Sequence, residues 1–368
     1  MRRAAIIVLD GLGIGPAPDT DAYGDAGSDT LGNVARAVGG LALPQLASLG
    51  LGHCAGLTGV PAVPEPRAAY GICEPRSAGK DSTTGHWEIC GLVLDTPFPT
   101  YPEGFPESVI AEFARRTGRA VLGNRAASGT AILDDLGEEH QRTGRWIVYT
   151  SADSVFQVAA HEETIPPTEL YAACTAAREM LQGEHAVSRV IARPFRGHSG
   201  AWVRTAGRKD YSLPPPGPTL LDRLAERHVP RVGVGKVDDL FAGRAITSLH
   251  TATNAEAYAL IEGALRSMHR GLLLANVIEF DQTWGHRNDV AGFHAGLREL
   301  DQMLPRLLAP VREEDLVIFT ADHGKHESKP LQHWLCDLGI TWRVCRSAQK
   351  SHRPMLMGCR SSIRRPRL

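Results

Sequence analysis

Residues 79–88 bring a lysine, two carboxylates, three hydroxyl groups, an imidazole and an indole into one short segment, Gly79-Lys80-Asp81-Ser82-Thr83-Thr84-Gly85-His86-Trp87-Glu88. A hydroxyl group in this setting could act as a nucleophile, but it is weak at neutral pH unless a base or a metal ion activates it. The alternative is structural, because a hydroxyl of this segment could cap the N-terminus of a helix. The choice depends on whether the chain supplies an activator elsewhere.

Acidic residues and histidines follow three apolar runs, at 4–9, 272–278 and 316–320, that read as buried strands. Such runs are typical of parallel strands covered on both faces. The carboxyl ends of parallel strands lie at one edge of the sheet, where open α/β folds bind ligands. Asp10 alone could be a loop cap, but together these side chains are candidate metal ligands: Asp10, Asp281, His286, Asp322 and His323.

Mixed carboxylate and imidazole ligands suit Mn²⁺ or Zn²⁺, and the excess of carboxylates favours Mn²⁺. Two ions about 3.5–4 Å apart can hold the attacking and leaving oxygens of a phosphoryl transfer. One of them can also lower the pKa of Ser82 and so supply the missing activator. The residues therefore predict in-line transfer of a phosphoryl group onto Ser82 and off again, driven by positioning and charge neutralisation.

Predicted strands and helices alternate along the chain, which indicates an α/β fold with a parallel-rich sheet between helices. The predicted helices cover 31–38, 107–117, 169–181, 220–226, 255–266 and 297–308. Proline-rich segments at 96–106 and 214–218 enclose a part with its own strands and helices, which suggests an inserted domain. The predicted domains are a metal-binding core of residues 1–98 and 216–324 and an inserted α/β cap of residues 99–215.

The composition of 43% hydrophobic and 22% charged residues is that of a soluble globular protein. A formal net charge of -1 gives no electrostatic case for a nucleic-acid partner. No apolar run is long enough to span a membrane, and the N-terminus does not read as a signal peptide. Seven cysteines without a CxxC pair favour a reducing, cytoplasmic location.

At this point four motifs resemble the alkaline phosphatase superfamily and, within it, the phosphopentomutase family: Val8-Leu9-Asp10-Gly11, the 79–88 segment, residues 281–286, and Thr320-Ala321-Asp322-His323-Gly324. The resemblance covers about residues 1–324. It includes the insert motifs at 149–155, 161–163 and 189–195, which separate the mutases from phosphatases that share only the metal residues.

The resemblance implies an isomerase that contains two Mn²⁺ ions and interconverts the 1-phosphate and 5-phosphate of ribose or deoxyribose. It would work through a phosphorylated enzyme primed by a sugar bisphosphate. Ser82 would be the nucleophile, with metal ligands Asp10, Asp281, His286, Asp322 and His323. Ser151 and Asp153 would contact the sugar, and the distal phosphate would be bound by Arg189, Arg204 and Lys236, since guanidinium groups suit phosphate oxygens. Other readings are a related phosphohydrolase or phosphoglycerate-type mutase.

The sequence departs from the family in three places. Ser82 stands where the family has threonine, and Gly207-Arg208-Lys209-Asp210 stands where it has Asn-Arg-His-Asp. After Gly324 the family's Thr-Asp-His-Thr-Arg-Glu motif, with a further ligand histidine, is missing; His333 lies one residue from its place. Residues 325–368 carry a formal charge of +8 against -9 for the rest. We therefore hypothesise a shifted reading frame and an aberrant basic tail that need not be ordered, which could leave a metal-deficient, inactive remnant.

Overall fold

The computed structural model describes residues 2–16, 27–79, 81–151, 153–324 and 337–344, the last of these as backbone alone. The chain divides into two compact units, one of Met1–Thr96 with Pro215–Leu368 and the other of Pro97–Pro214. The prediction of an aberrant tail falls on residues that lie outside the described part, except for the backbone of 337–344. None of the described helices has the length and apolar character needed to cross a membrane.

The described strands and helices follow one another along the chain with few long irregular segments. The strands are β1 (Arg3–Leu9), β2 (Ile14–Pro16), β3 (Ala69–Cys73), β4 (Val121–Ala126), β5 (Trp146–Thr150), β6 (Val155–His161), β7 (Arg189–Arg196), β8 (Val203–Arg204), β9 (Lys209–Ser212), β10 (Arg231–Val234), β11 (Ser248–Leu249), β12 (Gly271–Val277), β13 (Leu316–Thr320) and β14 (Asp337–Val344). The helices are α1 (Thr30–Ala37), α2 (Pro44–Leu49), α3 (Leu51–Cys54), α4 (Ser82–Ile89), α5 (Glu107–Thr117), α6 (Ala131–Thr143), α7 (Pro167–Met180), α8 (Leu220–Glu226), α9 (Val237–Leu240), α10 (Asn254–Ser267) and α11 (Val290–Leu308). A π-helix at Phe280–Trp284 and 3-10 turns at Gly183–His185 and Gly285–Arg287 complete the set.

The first unit is built on one sheet with the strand order β11-β10-β12-β1-β13-β14-β2, in which β3 also pairs with β14. β1 lies between β12 and β13 and is parallel to both, and β10 is parallel to β12. β14 is antiparallel to β13 and β3, and its strand was not predicted. The parallel centre of the sheet confirms the predicted α/β class with a parallel-rich sheet.

Helices cover this sheet because apolar side chains at helical spacing face its buried strands. Ile261 of α10 and Leu300 of α11 belong to the same buried cluster as Leu273 and Ala275 of β12. Phe280, just beyond β12, packs with its ring centroid 5.3 Å from that of Phe293 in α11. Burial of these side chains supplies most of the stabilisation of the unit, and it fixes the strands whose ends carry the candidate site.

The second unit has its own sheet, with the order β4-β5-β6-β7-β8 and β9 paired with β7. On one face, Phe113 of α5 and Leu170 of α7 pack with Trp146 and Val148 of β5. On the other face, Ile132 of α6 packs with the neighbouring side chains of the same strand. Because successive side chains of a strand point to opposite faces, β5 is buried on both sides. It therefore holds the start of the following loop in a fixed position.

A buried ion pair joins the start of β1 to the residue just before β13. The guanidinium Nε of Arg3 donates to both oxygens of Asp315, at 2.9 and 3.0 Å, and the two side chains are only 2% and 1% exposed. Arg3 also donates to the carbonyl oxygen of Pro310 at 2.9 Å. A buried carboxylate of this kind depends on its partner, because water cannot replace it.

We expect Arg3→Met to lower the free energy of unfolding by about 3–5 kcal/mol, since it leaves the Asp315 carboxylate buried without its counter-ion. Chemical denaturation followed by circular dichroism measures this change. The control is Arg115→Met, which removes an exposed arginine from the Glu112 pair on α5 and should barely move the transition. Equal effects of the two substitutions would contradict the importance of the buried pair.

Candidate active site

The three strand ends singled out in the sequence meet at the carboxyl edge of the first unit's sheet. Leu9 pairs with Val277 across β1 and β12, and Val8 pairs with Thr320 across β1 and β13. The backbone N–H of Asp10 donates to the carbonyl oxygen of Val277 at 3.2 Å. The ends are thus in register, and the candidate ligands that follow them start from neighbouring positions.

Helix α4 brings the hydroxyl group of Ser82 to this edge. Ser82 is the first residue of the helix, and the cap is the Asp81 carboxylate, which accepts from the N–H groups of Thr83 and Thr84. The reading in which a hydroxyl of this segment caps the helix is therefore wrong. The Ser82 Oγ instead donates to Asp10 Oδ1 at 3.1 Å and lies 3.2 Å from His323 Nε2.

Gly85 allows α4 to approach the end of β13 closely. A Cβ atom at this position would lie 2.2 Å from the carbonyl oxygen of Asp322, far inside van der Waals contact. On the same helix Trp87 is fully buried, and its indole N–H donates to the carbonyl oxygen of Leu240 at 2.9 Å. The glycine and the tryptophan of the segment therefore position the helix, while Ser82 faces the carboxylates.

We expect Gly85→Ala to lower metal affinity and activity together by roughly tenfold or more, because a 1 Å displacement of a catalytic group can cost that much. Isothermal titration with Mn²⁺ measures the affinity, and an assay of phosphoryl transfer measures the activity. Gly263→Ala is the control, since Gly263 lies within α10 and a Cβ atom added there would meet no described atom beyond its chain neighbours and the backbone of its own helix. That change should leave the site intact and stabilise the helix by up to about 1 kcal/mol.

Asp10 is the electrostatic centre of the site. It is fully buried, with Lys236 Nζ at 2.7 Å from Oδ2 and His323 Nε2 at 3.3 Å from Oδ1. Burial alone would raise the pKa of Asp10, but Lys236 and His323 hold it well below its ordinary value. Although burial opposes it, the carboxylates, first that of Asp322, raise the pKa of His323 to about 10. The buried carboxylates of this site are therefore balanced by an ammonium and an imidazolium group.

This arrangement fits a divalent cation. Asp10, Asp322 and His323 each offer a ligand atom, and these atoms all lie within 4.8 Å of one another. A metal ion would supply the positive charge that these buried carboxylates need. Carboxylate and imidazole together are a donor set that suits Mn²⁺. The fit concerns the residues of the first unit that the structure describes; His333 lies outside them.

Asp281 and His286 form a second acid–imidazole pair beside the first. They lie on the π-helix and the 3-10 turn after β12, and His286 Nε2 is 3.2 Å from Asp281 Oδ2. Burial acts to lower the pKa of both Lys236 and His323, but the nearby Asp281 charge contributes to raising them. Asp281 and His286 are thus a second carboxylate–imidazole pair, and the charge of Asp281 acts on two residues of the first group.

The resemblance assigns Lys236 to the distal phosphate of the substrate, together with Arg189 and Arg204. In the structure, Lys236 lies in the first unit against Asp10, while the two arginines belong to the second unit. Arg204 is exposed, and its Nε donates to the carbonyl oxygen of Gly129 at 3.3 Å. The ammonium group of Lys236 is therefore part of the charge balance at the candidate metal centre.

The second unit contains a cluster of arginines around Asp210, at the start of β9. Arg208 makes two hydrogen bonds to the Asp210 carboxylate, each of 2.7 Å, and Arg189 Nη1 lies 3.5 Å from Oδ2. Arg193 donates to Gln157 Oε1 at 3.2 and 3.1 Å. Burial and, after it, the charge of Arg208 lower the pKa of Arg193 to about 10. One carboxylate thus faces several guanidinium groups, an excess of positive charge that suits an anion.

Ser151 and Asp153, the predicted sugar contacts, lie in the turn between β5 and β6. Both are half-buried, and the N–H of Asp153 donates to Ser151 Oγ at 3.3 Å. The strands on either side are buried along their whole lengths. The turn therefore presents a hydroxyl and a carboxylate, groups able to hydrogen-bond to sugar hydroxyls, from a rigid base.

Asp210→Asn should reveal a pH-dependent contribution to stability. Burial alone would raise the pKa of Asp210, but Arg208 and its neighbours lower it below the ordinary 3.8. The stabilisation is therefore fully present above pH 3.8 and is lost as the pH falls through the lower pKa of the folded protein. We expect Asp210→Asn to cost about 1–3 kcal/mol at pH 7 and progressively less below pH 4.

Urea titrations at pH 7 and at pH 3 measure this difference on the full chain. Asp135→Asn, which removes an exposed carboxylate of α6 from its pair with Arg125, is the control in the same unit. A difference between Asp210→Asn and the unsubstituted chain that does not change with pH would contradict the assigned role of the carboxylate.

Four residues of these groups were not assigned a role from the sequence: His86, Asn276, Arg193 and Arg208. His86 and Arg193 lie within motifs used for the family resemblance, but those motifs do not predict what the two side chains contact. Arg208 stands in the segment that departs from the family, and its contact with Asp210 follows only from the fold. Asn276 is a polar residue within an apolar run, which is the signal that could have identified it, because a buried amide needs a partner.

Comparison with known proteins gives one consistent result. The model of the metalloenzyme superfamily matches residues 2–333. A phosphopentomutase of Dictyoglomus thermophilum is 53% identical over 331 residues, which are 90% of this chain and 84% of that protein. A phosphopentomutase of Anaeromyxobacter dehalogenans strain 2CP-1 is 54% identical over 89% of this chain and 85% of that protein. A solved Leishmania mexicana phosphoglycerate mutase matches with a TM-score of 0.41 and 12% identity over 93% of this chain and 89% of that one, a distant likeness.

Proposed function

The chain belongs to the phosphopentomutase family of the metalloenzyme superfamily, and we propose that it interconverts the 1-phosphate and 5-phosphate of ribose or deoxyribose through a phosphorylated Ser82. The observation that carries this proposal is the contact of the Ser82 hydroxyl with Asp10 at 3.1 Å and His323 at 3.2 Å, at the edge where the acidic strand ends meet. A hydroxyl placed among buried carboxylates has no packing role to explain it.

Ser82 carries the phosphoryl group in the proposed cycle. The free hydroxyl of the sugar monophosphate attacks the phosphorus of phosphoserine, the bond to Ser82 Oγ breaks, and a sugar bisphosphate forms. The other phosphate of that bisphosphate then transfers to Ser82, and the isomeric monophosphate leaves. Each cycle returns the phosphoserine, which explains why a sugar bisphosphate is needed only as a primer.

The surroundings of Ser82 favour the charges that this cycle involves. Ser82 begins α4, and the positive end of the helix dipole stabilises a phosphoryl group there. Asp10, Asp322 and His323, with Asp281 and His286 beside them, are the residues that would hold two Mn²⁺ ions. When bound, such ions neutralise the phosphoryl oxygens and lower the pKa of the serine hydroxyl.

The insert supplies the groups we propose for substrate recognition. Arg189 and Arg204 bind the distal phosphate, since planar guanidinium groups pair with phosphate oxygens, and Arg193 adds to the local positive charge. Ser151 and Asp153 hydrogen-bond to the sugar. Lys236, which the resemblance also assigns to a substrate phosphate, is proposed as a phosphate contact within the first unit, where its ammonium group lies 2.7 Å from Asp10.

Phosphorus NMR on the full chain tests the proposed function. The chain is incubated with ribose 1-phosphate, Mn²⁺ and a ribose bisphosphate primer, and in parallel with deoxyribose 1-phosphate and with 3-phosphoglycerate. Formation of the pentose 5-phosphate without inorganic phosphate is the expected result. Release of inorganic phosphate would instead indicate a phosphohydrolase, and turnover of phosphoglycerate alone would indicate the other mutase class.

Residues 325–368 carry a separate proposal, that a shifted reading frame encodes them. It is supported by the abrupt change of charge after Gly324 and by a superfamily match that ends at residue 333. Sequencing the coding DNA tests it, because a single-base shift should restore the Thr-Asp-His motif. An inactive chain that binds no Mn²⁺ would favour the reading of a metal-deficient remnant.

A further inference from the structure

His86 lies one helical turn after Ser82 and has no role in the cycle described above. Its side chain is fully buried. One ring nitrogen, Nδ1, lies 2.8 Å from the carbonyl oxygen of Ser82 and 3.1 Å from Asp322 Oδ2. The other, Nε2, lies 3.2 Å from the amide nitrogen of Asn276 on β12. The ring therefore contacts the nucleophile's own backbone, a candidate metal ligand and the central sheet.

The hydrogen-bond pattern determines which nitrogen of His86 carries the proton. The amide nitrogen of Asn276 is a donor without acceptor capacity, so Nε2 accepts from it. The hydrogen on Nδ1 is then donated to the Ser82 carbonyl oxygen at 2.8 Å, and Asp322 Oδ2 lies 3.1 Å from the same nitrogen. Asn276 is itself fully buried, so water cannot take over its contact with the ring.

The other contacts of Asp322 show what the ring of His86 adds. Its Oδ1 accepts from the N–H of Gly11 and from the N–H of His323, both at 3.1 Å. Those donors hold one oxygen, and the His86 ring faces the other. Partners of ligating carboxylates orient them, and their removal typically weakens metal binding.

We infer that His86 is a positioning residue that holds the Asp322 carboxylate beside Ser82, because its Nδ1 binds the Ser82 carbonyl oxygen and lies 3.1 Å from Asp322 Oδ2. The inference rests on the proposed function, because the distance it controls is the one between the nucleophile and its metal ligand. Without this contact, Asp322 is held only at Oδ1, by the N–H groups of Gly11 and His323. Helix α4 keeps its close approach at Gly85 and the hydrogen bond of Trp87 to Leu240. Ser82 would then retain its hydroxyl group and lose its fixed relation to the carboxylate.

Two conservative substitutions separate this role from simple packing. Asparagine places its amide nitrogen near the position of Nδ1, whereas glutamine places its amide nitrogen near that of Nε2. We expect His86→Asn to keep the Mn²⁺ dissociation constant within a few fold of the original. We expect His86→Gln and His86→Ala to weaken Mn²⁺ binding by roughly 10–100-fold and to lower kcat more than they raise KM.

Electron paramagnetic resonance of free Mn²⁺ gives the dissociation constants on the full chain, and thermal unfolding of the metal-free variants gives their stabilities. Asn276→Leu is a further variant, which leaves the His86 ring in place without its tether and should weaken Mn²⁺ binding less than His86→Gln does. Equal dissociation constants for the asparagine and glutamine variants would overturn the inference, whatever their stabilities.

The outcomes distinguish this inference from the proposed function. If the unsubstituted chain binds Mn²⁺ but converts no pentose phosphate, the proposed function fails. The Mn²⁺ dissociation constants of the His86 variants still test the role of His86 in that case. If the chain converts pentose phosphates and the asparagine and glutamine variants are indistinguishable, only the role of His86 fails. If the unsubstituted chain binds no Mn²⁺, both are overturned.

Discussion

Ser82→Ala should abolish the interconversion of pentose phosphates, lowering the rate by roughly 10³-fold or more. In the proposed cycle the Ser82 oxygen carries the phosphoryl group between the two hydroxyl groups of the sugar, and alanine has no oxygen to accept it. The dissociation constant for Mn²⁺ should change by only a few fold, since the carboxylates and imidazoles stay in place. The structure supports this separation: Ser82 contributes one hydroxyl to a site whose charges come from other side chains.

Ser82→Thr is the matched control for this experiment. It keeps a hydroxyl group at the same helix position, and threonine is the residue that the family resemblance leads one to expect there. Substantial activity in Ser82→Thr, together with none in Ser82→Ala, assigns the function to the hydroxyl oxygen. Comparable activity in all three proteins would show that the phosphoryl group passes directly between sugars or through another residue.

Asp10→Asn should weaken Mn²⁺ binding by at least about 100-fold, beyond the range seen for partners of metal ligands. Asp10 contacts Ser82, His323 and Lys236 at once, so the substitution removes the buried negative charge that the whole centre is arranged around. It also leaves the ammonium group of Lys236 without its counter-ion, and the metal-free protein should unfold more easily. Isothermal titration and thermal unfolding measure the two effects.

The control is a different cluster of two carboxylates and one imidazole, outside the candidate site and in the same unit. Asp238, Asp239 and His250 also bring ligand atoms within 4.8 Å of one another, but they are half-buried or exposed. Asp238→Asn should leave Mn²⁺ binding at the active site and the mutase activity unchanged. If Asp238→Asn weakened Mn²⁺ binding as much as Asp10→Asn does, the metal centre would have been placed at the wrong group.

The buried strands and the strongest helices could be predicted because local sequence determines them. The run predicted at 4–9 is β1 (Arg3–Leu9), and the helix predicted at 107–117 is α5, which Gly118 ends in the left-handed conformation. Helix α11 starts at Val290 and not at 297. Its first two turns contain two glycines, which weaken a helical pattern, and they are stabilised by the Asp289 cap and by packing.

Elements that depend on the rest of the fold were missed. No helix was predicted at α6 (Ala131–Thr143), whose largely polar sequence buries only a narrow stripe on the insert's sheet. β6 (Val155–His161) is fully buried although it contains a glutamine and a histidine, and such residues obscure the apolar run that marks a buried strand. In neither segment does the local sequence predict the burial that the fold provides.

Part of the candidate site could likewise be predicted from the sequence, and part depends on the fold. That β1, β12 and β13 end at one edge of the sheet could be predicted from the buried apolar runs alone, since the ends of parallel strands share an edge. The contact of Lys236 with Asp10 and the bridge from His86 to Asp322 join residues far apart in the chain. Their distances depend on how α4 and the turn after β10 pack, and no spacing in the sequence encodes them.

Mass spectrometry of the protein after incubation with ribose 1,5-bisphosphate and Mn²⁺ tests the phosphoserine cycle most directly. We expect one added phosphoryl group, located on Ser82 by peptide fragmentation and removed when a pentose monophosphate is added, with ribose bisphosphate as the product. No modification, or a phosphoryl group on another residue in both the original chain and Ser82→Ala, would contradict the role of Ser82 and the cycle built on it.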